Sequence, residues 1–558
     1  MDTERKLADF FGSNEMSRAG LMEVRIGSSA PLPCMSFIWP ALPISGLEYD
    51  SRNIKPGNLY FALPGLHTDG HNYIPDAISR GAVAIVHEKE VPDYKDGIIY
   101  IQVKDSRFAM SPVSAAFHIY PSARMRIIGV TGTEGKSTTV YLIYQLLKLL
   151  NKKAGFISTV MQGDGLVDRW NSEHQTTPEA VTIHRLLAGM LLNGAEYAVL
   201  ESSSHGLSRK TNRLGDVEFD MGVMTNVTHE HLEFHGTWEQ YRSDKAELFR
   251  ALDRSPSPHK KNGPLGEFTV PSFGVVNADD PSAAYFADAT RQKTFSFSTM
   301  GKKADLIIES IESRADGSSY VVFDSLAGSS FTLNDFLPGA FNAKNVLAAI
   351  LTVSNLLSLK PRDFIPLIPQ LKPVRGRMTA INRGQPFEVL VDYAHTPTSF
   401  ETVFPPLMKR IHSTGGRLIS LFGSAGERDT QKRPLQGQIA ARHSDVVIIS
   451  DEDPRGEDPM AILEEIAQGC LAAQGCEATK GCEISSGPFI RNETLFLIPD
   501  RPKAIRKAFS LAQKGDLVLL LGKGHENSII YANKTVAYDE IKEAETALEE
   551  AGFRGCHK

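Results

Sequence analysis

Cysteine is scarce in this chain, and so is any excess of positive charge. Five cysteines in 558 residues fit a reducing compartment better than a disulfide-built secreted fold. Cys470, Cys476 and Cys482 stand too far apart for a CxxC zinc site and read as ordinary thiols. The formal charge of −6 and the pI near 6.3 argue against nucleic acid as the main partner, because such binding needs a basic footprint. No run of about 18 apolar residues occurs, so no membrane span is expected. The first twenty residues lack the apolar core of a secretory signal, which makes export unexpected and the cytoplasm the expected location. Internal repeats and low-complexity tracts are absent as well. What is there is a soluble globular composition, 42% apolar and 23% charged. The length exceeds what one core can serve, and three domains are expected.

The segment with the most chemical information runs from Arg126 to Thr139. An apolar, β-branched stretch ends in a turn holding Gly129, Gly132 and Gly135, and Lys136, Ser137 and Thr138 follow. The pattern predicts a helix from Val140 to Leu150. Glycines let the backbone wrap an anion, a helix N-terminus points N–H groups at it, Lys136 adds charge, and Ser137 offers a hydroxyl for Mg2+. The common GxxxxGK spacing would need glycine at Val130, so this is a tighter version of the device.

Before this loop, residues 1–122 carry short strands and turns, such as Asn58–Phe61 and Gly81–His87, and predict a compact α/β domain. After it, strands alternate with helices at Ala154–Ser158, Tyr197–Glu201, Met221–Asn226 and Ser272–Asn277. That alternation predicts a mostly parallel sheet with crossover helices over residues 123–373. Arg254–Pro264 reads as a polar, proline-rich surface loop. The pattern breaks near Lys372–Arg377, and a third α/β unit spans 374–558. Its strands end in polar sequence at Asp392–His395, Gly423–Arg428, Asp451–Arg455 and Gly522–Glu526. Ligands of open α/β sheets bind at the carboxyl ends of strands, so this domain is expected to present a polar rim to the phosphate loop across a cleft.

Several residues around the loop carry chemistry. Glu201 closes a strand, where a carboxylate can hold Mg2+ through oxygen or simply face solvent. Thr225–Gly236 packs His229, His231 and His235 into seven residues, a spacing unlike the helical HExxH zinc pattern. One of them could serve Mg2+ and the γ-phosphate, and plain loop histidines remain open. Lys245 passes for a helix-surface lysine on composition. Asn342 and Asn345 lie one turn apart, as caps or as nucleotide contacts. Arg377 and Asp392 offer a cation and an acceptor at the second boundary.

Taken in order, the motifs DSRxxxPGxLYFAxxG, DGHNYI, GVTGTxGKST, TTP, ESSSHGL, TNxTHEHLEFHG, YxxxKAELF, GxFNxxNxLAA, GRM, DYAHTP, GERDxxKRPLQG, DEDPR and GKGHE resemble the Mur ligase family over nearly the whole chain. Within it they are most similar to the branch that adds the third residue of the peptidoglycan stem. The resemblance implies three domains: an N-terminal domain for the UDP substrate, a central ATPase and a Rossmann-like C-terminal domain. It implies ATP-dependent amide formation through an acyl phosphate, with ATP and Mg2+ required and no partner beyond small molecules. The substrates would be UDP-N-acetylmuramoyl-L-alanyl-D-glutamate and a diamino acid, and a monomer is expected.

The resemblance also implies site residues. Gly132, Thr133, Glu134, Gly135, Lys136, Ser137 and Thr138 would cradle ATP, completed by Asn342, Asn345, Arg377 and Asp392. Ser137, Glu201 and His231 would surround Mg2+, and Lys245 matches a carbamylated lysine that helps hold a second one. Lys136, His231, Lys245 and Arg377 would be catalytic. Tyr49, Ser51, His67 and Thr68 match positions for the UDP end, and Thr176, Thr177, Ser203 and Arg213 match those for the muramoyl-dipeptide. Arg428, Asp451, Glu452, Asp453, Pro454, Arg455, Gly522 and Glu526 match the amino-acid pocket. Members that add meso-diaminopimelate usually carry Asp-Asn-Pro-Arg where this chain has Glu452-Asp453-Pro454-Arg455. The added acid keeps lysine and ornithine in contention with diaminopimelate. A relative such as folylpolyglutamate synthase is the alternative reading, disfavoured by the N-terminal motif, by DYAHTPTS and by GERDxxKRP.

Overall fold

The structure is a computed structural model. It describes residues 5–11, 19–33, 39–65, 68–171, 175–228, 232–254, 257–314, 317–337, 339, 341–473, 490 and 493–555. His67 and His231, and with them Cys476 and Cys482, lie outside the described residues. The chain forms two compact units. The first covers 1–312, 319–335 and 341–371, and the second 313–318, 336–340 and 372–558.

The first unit holds two sheets. The N-terminal sheet has six strands in the order Leu32–Pro33, Leu21–Ile26, Ile99–Val103, Ala84–His87, Asn58–Phe61 and Gly46–Glu48. The last four are parallel. Strand Asn58–Phe61 is buried throughout, as expected of a parallel strand covered on both faces. The second sheet has eleven strands. Strands Ala154–Ile157, Tyr197–Glu201, Arg126–Thr131, Met221–Met224, Phe273–Asn277, Lys293–Ser298 and Leu306–Arg314 run parallel as successive neighbours. Arg126–Thr131 therefore sits inside the sheet, and its C-terminal end delivers the phosphate loop at the carboxyl edge. Helices Lys136–Leu149 and Asn342–Leu357 pack against each other.

Two sequence expectations change here. The helix after the loop begins at Lys136 rather than Val140, so Lys136 and Ser137 are themselves first-turn residues. Gly135, with φ +78°, makes the turn that lets the helix start at once. The stretch expected as a loop from Arg254 to Pro264 instead contributes strand His259–Gly263, paired antiparallel with Gly266–Val270. Lys261 is buried, with Nζ donating to the carbonyls of Ser122 and Met125 at 3.0 Å each and to Asp220 Oδ2 at 2.9 Å. Three acceptors satisfy its three N–H groups, which makes the burial of a charge tolerable.

Helix Ala180–Leu192 joins the two sheets of this unit. Its Ala180 and Val181 belong to the same core as Ala109, Met110 and Val113 of helix Ser106–Phe117. His184 on this helix is fully buried, and neither ring nitrogen has a partner. Burial lowers its pKa from 6.5 to about 3, with a further push from His118. His118 itself is lowered to about 4, by burial and then by Arg185 and Arg5. Between these values and 6.5 the unfolded chain binds protons that the folded chain refuses. Stability is therefore complete above 6.5 and falls as the pH drops through that window, by up to about 1.4 kcal/mol per pH unit for each histidine. We expect the thermal midpoint to fall between pH 7 and pH 5, and His184→Leu to flatten that fall. Equal slopes in the variant and the parent protein would refute the assignment to His184.

The second unit carries a six-stranded sheet in the order Thr379–Ala380, Glu388–Asp392, Leu517–Leu521, Leu418–Phe422, Val446–Ile449 and Leu495–Leu497. All but the first are parallel. Segments 393–395, 423–428, 450–455 and 522–526 follow the carboxyl ends of four of these strands and form the polar rim expected from sequence. No helix among the described residues is long and apolar enough to cross a membrane.

Candidate active site

The phosphate loop is shaped by side chains from neighbouring strands and helices. Asn226, just past strand Met221–Met224, accepts at Oδ1 from the N–H of Thr133 at 3.2 Å and of Glu134 at 2.9 Å. The loop's carbonyls are also held. Lys245 Nζ donates to Gly132 O at 2.6 Å, Lys136 Nζ to Thr133 O at 2.7 Å, and Thr225 Oγ1 to Glu134 O at 2.6 Å. A Cβ on Gly132 would lie 1.9 Å from Thr225 Oγ1, and one on Gly135 2.6 Å from Asn345 Oδ1, so both positions require glycine. Helix Lys136–Leu149 has no side-chain cap at its N-terminus. Its first N–H groups are thereby available to an anion.

Ser137 and Glu201 meet beside this loop. Both are buried, and Ser137 Oγ donates to Glu201 Oε2 at 2.9 Å, which also accepts from Thr159 N at 2.8 Å. Asn345 and Asn342 are buried too, with Asn345 Nδ2 donating to Asn342 Oδ1 and Thr139 Oγ1 donating to Asn345 Oδ1. Phe341 is the N-cap residue of their helix, so neither asparagine is the cap, and Asn345 is aimed at the phosphate-loop helix. Lys245 is 2% exposed, which overturns the compositional reading of a surface lysine. It lies on the inner face of helix Trp238–Ala251, above the Tyr241 ring. The preceding residue, Asp244, accepts from His235 Nδ1 at 2.7 Å, and His235 Nε2 meets Ser204 Oγ at 3.0 Å.

Thr177, Ser203 and Arg213 form a second cluster. Thr177 Oγ1 donates to the carbonyl of Glu201 at 3.0 Å and accepts from Ser203 N and Oγ. Arg213 donates to Thr177 O at 2.8 Å and to Glu179 at 2.9 Å, so the sequence position read for Arg213 does fall beside Thr177. Thr176 adjoins them in the chain. Glu179 also accepts from Arg107 of the N-terminal lobe at 2.6 Å. Tyr49 and Ser51 follow strand Gly46–Glu48, and Thr68 follows the adjacent parallel strand Asn58–Phe61.

In the second unit, Arg377 lies over the Tyr393 ring at 4.7 Å. Asp392 is buried and accepts from Met378 N and Ala394 N at 2.7 Å each. Burial raises its pKa, and Arg377 and the two N–H groups oppose the rise. Among the residues that the resemblance matches to an amino-acid pocket, Asp451, Glu452 and Asp453 are all buried. Asp453 Oδ1 accepts from Lys523 Nζ at 2.9 Å and from Ile530 N at 3.0 Å, and Lys523 also donates to Glu526 at 2.5 Å. Glu452 Oε2 has no hydrogen-bond partner, and burial raises the pKa of this carboxyl. Burial likewise raises Glu526, against Lys523, and lifts Asp451 to about 6. Arg455 adopts φ +54° and joins Tyr531 through a bridge. Pro454 and Gly522 complete the backbone of this region, and Arg428 lies exposed at the end of a loop whose Gly426 N donates to Asp453 O.

Reading the sequence by residue type alone missed Asn226, Thr159, Glu179, Arg107 and Lys523. Lys523 and Glu179 were within reach, since each lies in or next to a quoted motif. Arg107 and Thr159 carry no local signal and are recruited by the fold.

Comparison with known proteins gives the family. Residues 43–118 match the Mur ligase family catalytic domain, 130–353 the Mur ligase middle domain, and 376–524 the Mur ligase glutamate ligase domain. A UDP-N-acetylmuramyl-tripeptide synthetase of Treponema denticola is 50% identical over 529 residues, covering 90% of this chain and 94% of the relative. A UDP-N-acetylmuramoyl-L-alanyl-D-glutamate–2,6-diaminopimelate ligase of Geobacillus thermodenitrificans is 35% identical over 509 residues, covering 91% and 95%. The solved structure of a ligase with that same diaminopimelate specificity in its name aligns with TM-score 0.56 at 26% identity, covering 93% of this chain and 97% of the other. The three matched domains and the full-length relatives show that this chain is an enzyme, an ATP-dependent ligase belonging to the Mur ligase family.

Proposed function

We propose that this ligase joins a diamino acid to UDP-N-acetylmuramoyl-L-alanyl-D-glutamate, forming the tripeptide precursor of peptidoglycan through an acyl phosphate. The observation that carries this reading is the double engagement of Glu201. Its carboxylate takes the hydroxyl of Ser137 at the phosphate loop, and its carbonyl takes the hydroxyl of Thr177 in the Thr177–Ser203–Arg213 cluster. On this reading, phosphate and substrate-carboxylate binding would share one residue. The names of the full-length relatives support the same substrate. We assign 1–122 to the UDP end, 123–373 to ATP and 374–558 to the amino acid.

Ser137 and Glu201 supply oxygen donors, which suit Mg2+, an ion that keeps phosphate and water among its ligands. Among the described residues no group of three or more His, Cys, Asp or Glu is placed to hold a metal. His231 and a Lys245 carbamate are the further ligands we propose. Bound there, Mg2+ would offset charge on the γ-phosphoryl group. A carbamate on Lys245 keeps one N–H, enough to retain the bond to Gly132 O.

In the first step a carboxylate oxygen of the dipeptide attacks the γ-phosphorus. The bond to the bridging oxygen breaks and ADP leaves with the electron pair. In the second step the amine attacks the acyl carbon, the C–O bond to phosphate breaks, and the amine gives up a proton as phosphate departs. Such transfers rest on positioning and cation clamps. Lys136 and Arg377 are the clamps, with Asn342, Asn345 and Asp392 holding the nucleotide. Tyr49, Ser51, His67 and Thr68 hold the UDP end.

For the acceptor we infer lysine or ornithine. Asp453, the acid that departs from the Asp-Asn-Pro-Arg pattern, is met by Lys523 Nζ and by the N–H of Ile530. The carboxylate left unmet is that of Glu452, whose Oε2 is buried without a hydrogen-bond partner beside Asp451, Asp453 and Glu526, with Lys432, Lys523 and Arg501 as the cations that act on it. A buried carboxylate without a partner favours a cationic end over a second carboxylate. With lysine, ornithine and meso-diaminopimelate offered separately, product mass should show the first two preferred by about tenfold, a difference of about 1.4 kcal/mol. Glu452→Gln should narrow that preference. Diaminopimelate as the main product would overturn the acceptor inference, and turnover with folate and glutamate would overturn the whole reading.

A further inference from the structure

Arg501 is fully buried at the start of helix Arg501–Leu511, and its partner Glu540 is 1% exposed at the start of helix Glu540–Glu550. The guanidinium makes a bidentate pair with this carboxylate, Nε to Oε2 at 2.9 Å and Nη2 to Oε1 at 2.7 Å. Its other bonds go to main-chain carbonyls: Nη1 to Asp451 O at 3.0 Å and Nη2 to Leu521 O at 2.6 Å. Tyr538 OH donates to Glu540 Oε2 at 2.6 Å and fixes the carboxylate in turn.

These two carbonyls stand where the two pocket loops leave the sheet. Leu521 ends strand Leu517–Leu521 and precedes Gly522-Lys523-Gly524-His525-Glu526. Asp451 follows strand Val446–Ile449 and opens Asp451–Arg455. The strands are not neighbours, because Leu418–Phe422 runs between them. No ladder bond sets the height of one loop against the other at this end, and Arg501 does so directly. Above it, the loops meet again through Lys523 and Asp453. A buried ion pair is an expensive fastener that hydrophobic side chains often replace without loss of stability. The rigid fork of a guanidinium, unlike an apolar group or a lysine, can hold two carbonyls and a carboxylate at fixed spacing.

We propose that Arg501, clamped by Glu540, is a positioning residue of the amino-acid pocket: it sets the spacing of the Asp451–Arg455 and Gly522–Glu526 loops and thereby the fit of the incoming diamino acid. The proposal rests on the acceptor pocket assigned above. A misplacement of the order of 1 Å at a reacting group costs up to about a hundredfold in rate, so the effect is measurable. In the full-length enzyme, Arg501→Lys keeps the charge and cannot span both carbonyls. It should raise KM for the diamino acid about tenfold or more, lower the discrimination among lysine, ornithine and diaminopimelate, and leave KM for ATP and for the UDP substrate within about twofold. Tyr538→Phe, which removes one hydroxyl, should move the acceptor KM in the same direction by a smaller factor. If Arg501→Lys lacks a cooperative thermal transition, Tyr538→Phe and Glu540→Gln decide. An acceptor KM that is unchanged in the folded variants, or that shifts equally with those of ATP and the UDP substrate, overturns the proposal while wild-type tripeptide synthesis stands. Absence of tripeptide from the wild-type enzyme with any of the three diamino acids would overturn the functional reading and this proposal together.

Discussion

Replacing Lys245 with alanine is expected to lower kcat for ligation by about a thousandfold or more, the scale on which removal of preorganised charge stabilisation acts. The side chain is buried, it sits on the inner face of its helix, and its nitrogen lies 2.6 Å from Gly132 O. As a carbamate it would place an anion against the metal site while keeping its N–H on that carbonyl. The alanine variant loses both roles. A small organic acid such as acetate or propionate can return the first but not the second, so partial recovery with added acid is the expected signature. Thermal melting of the variant separates loss of the loop contact from loss of the charge. Wild-type turnover without added acid would dismiss the carbamate.

Lys136→Met should act as strongly through a different door. Lys136 is the first residue of the phosphate-loop helix and donates to Thr133 O at 2.7 Å. It is half-buried, so its ammonium can leave that carbonyl for a phosphate oxygen at little cost. Without it, the helix N-terminus and, on the reading proposed above, Arg377 and Mg2+ would be left to offset the charge of the transferring group. We expect kcat to drop by about a hundred- to a thousandfold, while calorimetric affinity for the UDP substrate stays at the parent value. ADP release within threefold of the parent rate would show that the lysine shapes the loop and does no more.

The parallel strands were legible because their residues form continuous apolar runs, as in Val446–Ile449 and Leu517–Leu521. The loops at their carboxyl ends were legible because polar residues follow those runs abruptly. What the sequence concealed were side chains whose partners are distant in the chain. Lys245 reads as one polar residue on a charged helix, and only the crossing of that helix over Gly132, more than a hundred residues earlier, makes it part of the loop. Lys261 misled in the same way. Prolines and lysines argued for solvent, yet three acceptors at Ser122, Met125 and Asp220 draw its ammonium inward and fix a hairpin. At the proposed acceptor pocket the acid at 453 was visible as a departure from a motif, but its neutralisation by Lys523 depends on two loops meeting. Arg501 carries no sequence signal, since an arginine at the start of a helix is ordinary until its neighbours are known.

The phosphate loop has a thermodynamic consequence of its own. Lys245, Lys136 and Thr225 each hold one of its successive carbonyls, and Asn226 takes two of its N–H groups. Fixing a residue's backbone costs about 1–2 kcal/mol of conformational entropy, and for residues 132–135 that cost is met when the chain folds. A nucleotide arriving at this loop would meet a backbone already fixed, with the Lys136 ammonium turning from Thr133 O to a phosphate oxygen, so binding should be enthalpic, with a small entropic penalty and a modest heat-capacity change. Triphosphate mimics would benefit equally, because the loop rewards any ligand of the right shape and charge without being remoulded by it.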